Sequence, residues 1–458
     1  MRYKFFSLLC IFGCLSNVSA QVHEFKLDNG LKLLVKEDHR APIVVSQVWY
    51  KVGASYESEG KTGLSHILEH MMFKGTSNHP PGEFSRIMAA NGASENAFTS
   101  TDYTAYFQTI AKNRLSLSFE LEADRMRNLI LQEQEFTKER NVVTEERRTR
   151  TEDDPGSVLY ETFQATAYQV HPYRRPVIGW MYDIQNFQLS DLQAWYQRWY
   201  APNNAIVVVT GDVDPQETLE LAKKYFGDLQ PSDITPPVTF TEPPQLGMKR
   251  LVVKRPAKVA SVLLGYKVPS LTNIPQNQQD EAYALEMLQS ILDRGNSARL
   301  AKNLVRGQEI ASYASASYEL YSRLGELLTL SGSPSDKHTI DELETALKAE
   351  IEILQNTLVS QEELERVKTQ VKAAHVYELD SLFYQGMKLG SAETVGISWK
   401  TLDAYLEKIS QVTPEQIQAV AKKYLIEDNL TVAVLEPLPL SAHGVANSPN
   451  VSHGTRGH

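Results

Sequence analysis

Two histidines and a glutamate stand within five residues of one another, in His66-Ile67-Leu68-Glu69-His70. The surrounding stretch, residues 62–76, reads as a helix that opens after Gly63. Residues three and four apart on a helix are neighbours, so His66 and His70 share one face and Glu69 lies beside His66. Two neutral imidazoles one turn apart can grip a zinc ion, and an adjacent carboxylate can take a proton from a water on that ion. The order His-x-x-Glu-His is the inverzincin order, the reverse of the commoner metalloprotease motif. The competing reading is a polar helix face with two solvated histidines. Ile67, Leu68, Met71, Met72 and Phe73 oppose it, because they make the helix mostly apolar, and ionisable groups on a buried helix need partners.

A catalytic zinc commonly has three protein ligands and leaves one position for water. The helical stretch 135–150 offers Glu135, Glu139, Glu145 and Glu146 as the third. Glu139, Val142, Val143 and Glu146 fall on one helical face, which suits a face turned toward a buried cation. Glu145 points elsewhere, where an exposed acidic helix paired with its own arginines is the simpler account.

The elements that must position these groups alternate between strand and helix. Residues 25–35 form two alternating runs about Asn29-Gly30, a hairpin signal. Residues 43–52 are β-branched, 84–90 helical, and 96–107 rich in strand formers. Helices follow over 115–131, 133–150, 158–168, 190–200 and 215–226, with a buried strand at 205–210. This alternation indicates an α/β or α+β sandwich. Five prolines between 231 and 249 mark an inter-domain linker, after which strands restart at Arg250. The second half echoes the first. Tyr50-Lys51-Val52 recurs as Tyr266-Lys267-Val268 at an offset of 216, and Leu192, Trp199, Asn204, Val207 and Val209 recur as Ile417, Tyr424, Asn429, Val432 and Val434 at 225. The fold expected is therefore α+β, with two homologous α/β sandwich domains, each a mixed sheet packed with helices, over residues 21–230 and 250–437. The second copy carries residues 281–291 where the first has its histidine motif, so chemistry is expected in the first alone.

Composition narrows the function classes. At 458 residues, 42% hydrophobic and 22% charged, the chain has the balance of a globular protein with more than one core. Residues 1–20 read as a secretory signal peptide, with Arg2 and Lys4, an apolar centre and a small-residue end at Ala20. A lipid anchor at Cys14 is the alternative processing route. Both cysteines, Cys10 and Cys14, lie in that segment, so the mature chain has neither disulfides nor thiol chemistry. Cleavage takes the formal charge from −10 to −12, which is no nucleic-acid binder's balance, and no integral membrane segment is expected to remain. After Pro437 the tail, with His443, His453 and His458, is polar and expected to be disordered.

The sequence resembles the pitrilysin-type zinc peptidases, in particular the branch containing the mitochondrial processing peptidase and its bacterial relatives. The residues that carry the resemblance are His66-Ile-Leu-Glu-His-Met-Met-Phe-Lys-Gly-Thr76, Glu139-Arg-Asn-Val-Val-Thr-Glu-Glu146, Asn96-Ala-Phe-Thr-Ser-Thr-Asp-Tyr-Thr104, His171-Pro-Tyr and residues 200–209. The 75 residues between His70 and Glu146 match the family spacing and select Glu146 over Glu145. The resemblance implies one zinc ion per chain on His66, His70 and Glu146, with Glu69 as general base and Glu139 as an acid that helps position the site. It implies that Asn96, Ala97, Phe98 and Thr99 form the substrate-binding strand. Asn296-Ser-Ala-Arg299-Leu resembles a segment whose arginine helps bind substrate, and Tyr313 falls near the partner tyrosine, one residue looser than the family pattern.

The function expected is an exported, periplasmic zinc endopeptidase that cuts extended peptides or unfolded chains. The family's closed chamber contains four such domains, so pairing is expected, as a homodimer or with a zinc-less sister subunit. Two alternatives compete. A non-catalytic structural or chaperone-like subunit would be free to lose His66, Glu69, His70 and Glu146. A peptide-binding module with structural zinc would need four protein ligands, usually including cysteine, which the mature chain lacks.

Overall fold

The computed structural model describes residues 21–235 and 241–440. The signal segment, the histidine-bearing tail beyond Leu440, and Pro236 and Pro237 of the proline-rich stretch lie outside the described residues. Six strands make the first sheet: β1 (Val22–Lys26), β2 (Lys32–Glu37), β3 (Ile43–Tyr50), β4 (Ser94–Thr99), β5 (Thr104–Ala111) and β6 (Ala205–Gly211), in the order β1-β2-β6-β3-β5-β4. The β1–β2 hairpin turns at Asn29-Gly30. Residues 96–107, which read as one strand-rich run, divide into the antiparallel pair β4 and β5 about a turn at Ser100–Tyr103.

Five strands make the second sheet: β7 (Lys249–Pro256), β8 (Ser261–Val268), β9 (Ala311–Ser317), β10 (Glu326–Pro334) and β11 (Leu430–Leu438), in the order β7-β11-β8-β10-β9. It repeats the first sheet without β1. Each has one parallel pair, β2 with β6 and β7 with β11, and is otherwise antiparallel. The repeat extends to register. Val48 faces Val207 in the first sheet, and the residues at the two sequence offsets, Leu264 and Val432, face each other in the second. Ser46 and Val209 map in the same way onto Val262 and Val434. The molecule is thus two homologous domains, each a mixed sheet packed with helices.

Each sheet buries one face under helices of its own half. In the first, Val35, Val48, Tyr50, Val207 and Val209 pack against Ile67, Leu68, Phe119, Leu192 and Phe226. The opposite face of each sheet is covered by a helix from the other half. Helix Leu382–Thr394 lies on β3 and β6, where Leu389 joins Trp49, Ile206 and Val208. Helix Pro155–Ala167 lies on β7, β8 and β11, where Phe163 joins Leu327, Ala433 and Leu435. Both contacts are close enough to require glycine. A Cβ on Gly390 would come within 2.1 Å of the Trp49 ring, and one on Gly265 within 2.3 Å of the Phe163 ring.

Polar contacts add to this exchange. Glu242, after the proline-rich stretch, accepts the backbone N–H groups of Gln169, Val170 and His171 at 2.8–3.0 Å and pairs with Lys267 of β8 at 2.8 Å. Arg323 pairs with Asp102, at the β4–β5 turn, at 3.1 Å. Among the described residues no helix is long and apolar enough to cross a membrane.

Candidate metal centre

The motif helix is Leu64–Met71. Leu64, Ile67, Leu68 and Met71 recur at helical spacing and are buried in the first core. That leaves His66, Glu69 and His70 on the face turned to a cleft. Facing them is helix Glu133–Arg147, which buries Phe136, Glu139, Val143 and Arg147. Val142 does not share that burial; it is 49% exposed and lines the cleft. Beyond Arg147 the helix widens into a π-helical turn, Arg148–Glu152, in place of the regular helix the sequence suggests.

His66, His70 and Glu146 converge. Their ligand atoms lie within 4.8 Å of one another, the one such group of His, Cys, Asp or Glu among the described residues. Glu146 Oε2 is 3.4 Å from His70 Nε2 and 3.8 Å from His66 Nε2. Two donors about 2.0–2.1 Å from one tetrahedral zinc stand about 3.4 Å apart, so these side chains fit the ion. Two imidazoles and one carboxylate leave a fourth position open, which is the pattern of a catalytic rather than a structural zinc.

The electrostatics favour a cation. Burial alone would lower His70, but Glu139 and Glu146 outweigh it and push its pKa up to about 9. In the metal-free protein that imidazole therefore carries the positive charge its neighbours demand. Burial raises Glu146 too, yet His70, His66 and Arg150 hold it down to about 2. Burial, with His70 beside it, lowers His66 to about 4. A bound metal would displace the proton from His70 and keep both rings neutral.

Other contacts hold these groups in place. Glu139 Oε2 lies 3.2 Å from His70 Nδ1, and its other oxygen pairs with Lys74 at 2.7 Å. The outer oxygen of Glu146 pairs with Arg150 of the π-turn at 2.6 Å. Glu145, by contrast, is turned to solvent and paired with Arg148. Glu69 accepts a hydrogen bond from the Thr99 hydroxyl at 2.5 Å. Burial raises Glu69 above the usual carboxylate range, and the Thr99 bond opposes that shift.

The cleft, about 890 Å³, is bounded on one side by β4. This strand is the sheet's last, so its outer edge is unpaired. Because Ser100 donates to Tyr103, the alternation of the ladder turns the backbone groups of Ala97 and Thr99 to the open edge. The Asn96 side chain accepts the Ala97 N–H at 2.8 Å. The Phe98 ring packs on Trp49 and Tyr103, at the sheet face covered by the exchanged helix.

Arg299 and Tyr313 do not line this cleft. Arg299 is held by Glu363 through bonds of 3.1 and 2.7 Å, and Tyr313, on the edge strand β9, is 56% exposed with its hydroxyl on Ser315. The positions 216 residues beyond His66, Glu69 and His70 are Ala282, Leu285 and Glu286, on helix Gln279–Leu292. Sequence reading missed Lys74, Arg150 and the Thr99–Glu69 bond. Only the position of Arg150, one turn beyond Glu146, could have suggested its pairing.

Comparison with known proteins finds relatives along most of the chain. Residues 32–180 match the family described as Insulinase (Peptidase family M16), and residues 186–371 match the Peptidase M16 inactive domain. The chain is 35% identical over 424 residues to the zinc protease PqqE of Helicobacter pylori, covering 90% of this chain and 92% of that one. It is 25% identical over 416 residues to YmxG of Bacillus subtilis, named an uncharacterized zinc protease, covering 91% and 98%. In structure it is similar to a protease from Helicobacter pylori, with a TM-score of 0.86 at 33% identity over 91% of this chain and all of that one. The fold also matches the periplasmic protease PqqL from Escherichia coli, with a TM-score of 0.77 at 20% identity, over 92% of this chain and 49% of that one.

Proposed function

The chain belongs to the M16, or pitrilysin-type, peptidase family, and from that premise we propose that it is an exported zinc-dependent endopeptidase acting on extended peptides or unfolded polypeptides. The observation that carries this is the convergence of His66, His70 and Glu146 beside Glu69, at the open edge of β4. Catalysis is assigned to the first half, residues 21–230, and residues 250–437 form a partner domain without zinc. When bound, zinc supplies Lewis acidity, polarising the scissile carbonyl and making a water acidic near neutral pH.

This chain's own residues do the rest. A peptide adds as a further strand on β4, giving main-chain bonds at Ala97 and Thr99 and exposing alternate side chains to the cleft. A folded substrate cannot present such a strand. Glu69 takes a proton from the attacking water and returns it to the leaving amine; burial brings its pKa closer to working pH than that of a solvated carboxylate. Thr99 holds one Glu69 oxygen in place. Glu139 fixes the His70 ring by accepting at Nδ1, and Lys74 in turn holds Glu139. Because Arg299 and Tyr313 are absent from this cleft, their action on substrate, including support of the oxyanion, is assigned across a pair of chains that closes a chamber. That pair is a homodimer or includes a zinc-less sister subunit. Export, and with it a periplasmic location, rests on residues 1–20.

Digestion of a diverse peptide pool by the purified mature chain, with and without chelator, tests this reading. Cleavage that chelator abolishes and zinc restores is expected. Turnover that survives full metal removal would contradict it, as would a zinc-loaded chain that stays inert alone and with its co-purified partner.

A further inference from the structure

The two imidazoles of the proposed zinc site are held in different ways. His70 has Glu139 on its far nitrogen. His66 Nδ1 is buried and meets no partner among the described residues. No hydrogen bond at the far nitrogen orients the His66 ring as Glu139 orients that of His70, so its placement depends more on the backbone carrying it. His66 is the third residue of helix Leu64–Met71, and its orientation follows from where and how that helix begins.

Buried carboxylates pin that beginning. The N-cap position is Gly63, at φ +94°, which has no side chain to cap the first turn. Glu57, six residues upstream and 3% exposed, takes over this role. Its Oε2 accepts the Gly63 N–H at 2.6 Å and its Oε1 the Ser65 N–H at 2.7 Å. Arg175 holds the backbone carbonyl of Glu57 at 2.5 Å. Asp183 accepts the Thr62 N–H at 3.1 Å and the Thr62 hydroxyl at 2.6 Å. The chain cannot slide here: a Cβ on Gly63 would lie 2.5 Å from the Ile178 carbonyl oxygen, and one on Gly179 2.3 Å from that of Thr62.

We infer that Glu57 is a positioning residue for the metal centre, fixing the start of the ligand-bearing helix and so the direction of His66. Asp183 acts on the same end from one residue earlier. This rests on His66, His70 and Glu146 as the zinc ligands.

The test uses the full mature chain. Zinc affinity is measured by competition with a chromophoric chelator, together with the visible spectrum of the cobalt-substituted protein and the melting temperature without metal. Glu57→Gln keeps the shape and one acceptor but puts an NH2 donor where the other oxygen accepted, so only one of the two backbone N–H groups can still be held. Its zinc affinity is expected to fall by about tenfold or more, the usual weight of a residue that orients a metal-bound histidine. Its cobalt bands are expected to change as His66 turns, which a plain loss of stability would not cause. Asp183→Asn should weaken zinc in the same direction by less. Glu57→Gln with wild-type zinc affinity and an unchanged cobalt spectrum would overturn the inference, whatever its melting temperature. Should Glu57→Gln not fold, Asp183→Asn decides on the same readouts. A wild-type chain that binds no zinc would instead remove the ligand assignment itself.

Discussion

Replacing Glu139 asks how much of the zinc affinity lies outside the three ligands. Its carboxylate accepts from His70 Nδ1 at 3.2 Å and pairs with Lys74 at 2.7 Å, and its side chain is 10% exposed. Carboxylates in this position typically account for about 10–100-fold in metal affinity, or about 1.4–2.7 kcal/mol. Glu139→Gln keeps an acceptor for the ring and loses the charge, so it belongs near the lower figure; Glu139→Ala loses both and belongs near the upper. Protons enter the balance with a definite sign. Without metal, Glu139 and Glu146 together hold His70 up to about 9, so at pH 7 zinc must first displace a proton. Removing Glu139 lowers that pKa and relieves part of the competition, which partly masks the lost support. The mask lifts as pH rises past the folded pKa, where His70 is neutral in both proteins. The affinity ratio between wild type and Glu139→Ala, read by chelator competition, should therefore widen from pH 7 to pH 9. Equal affinities at both values would refute the claim that Glu139 orients His70.

Three further outcomes follow from the same geometry. Glu69→Gln should keep zinc while peptide turnover falls by about 10²–10⁴-fold, the weight of a positioned acid–base group, as checked by metal analysis beside a peptide assay. Glu146→Gln should lower zinc content sharply, whereas Glu145→Gln, at a residue turned to solvent and paired with Arg148, should not; the reverse would mean that the other carboxylate is the ligand. Burial raises Glu242, but Lys267 and three backbone N–H groups outweigh it and hold its pKa at about 2. Its stabilisation is thus fully present above the unfolded value near 4.5 and lost as pH falls toward 2, so Glu242→Gln should flatten that part of the stability–pH curve, as denaturant melts would show.

Much of the site was legible because helical periodicity encodes it. Leu64, Ile67, Leu68 and Met71 mark one face of the motif helix as core, and so set His66, Glu69 and His70 on the other. The same periodicity placed Glu139 and Glu146 together and Glu145 apart. The duplication was legible because β-branched runs keep their spacing, and the offsets 216 and 225 carry the register pairs of one sheet onto the other. The exchange of helices between halves was not. An apolar stripe shows that helix Pro155–Ala167 must be buried, but not which sheet buries it. The turn between β4 and β5 was hidden because residues 100–103, Ser-Thr-Asp-Tyr, contain neither glycine nor proline. Glu57 was invisible because its cap acts from six residues upstream, across a loop whose path only the fold defines.

The central claim concerns where the metal sits. Anomalous scattering at the zinc edge from crystals of the zinc-loaded chain measures this directly. The expected result is one peak per chain, bonded to the Nε2 atoms of His66 and His70 and to a carboxylate oxygen of Glu146, with a non-protein ligand in the remaining position. No peak there, or a zinc ion closed by four protein side chains, would contradict it.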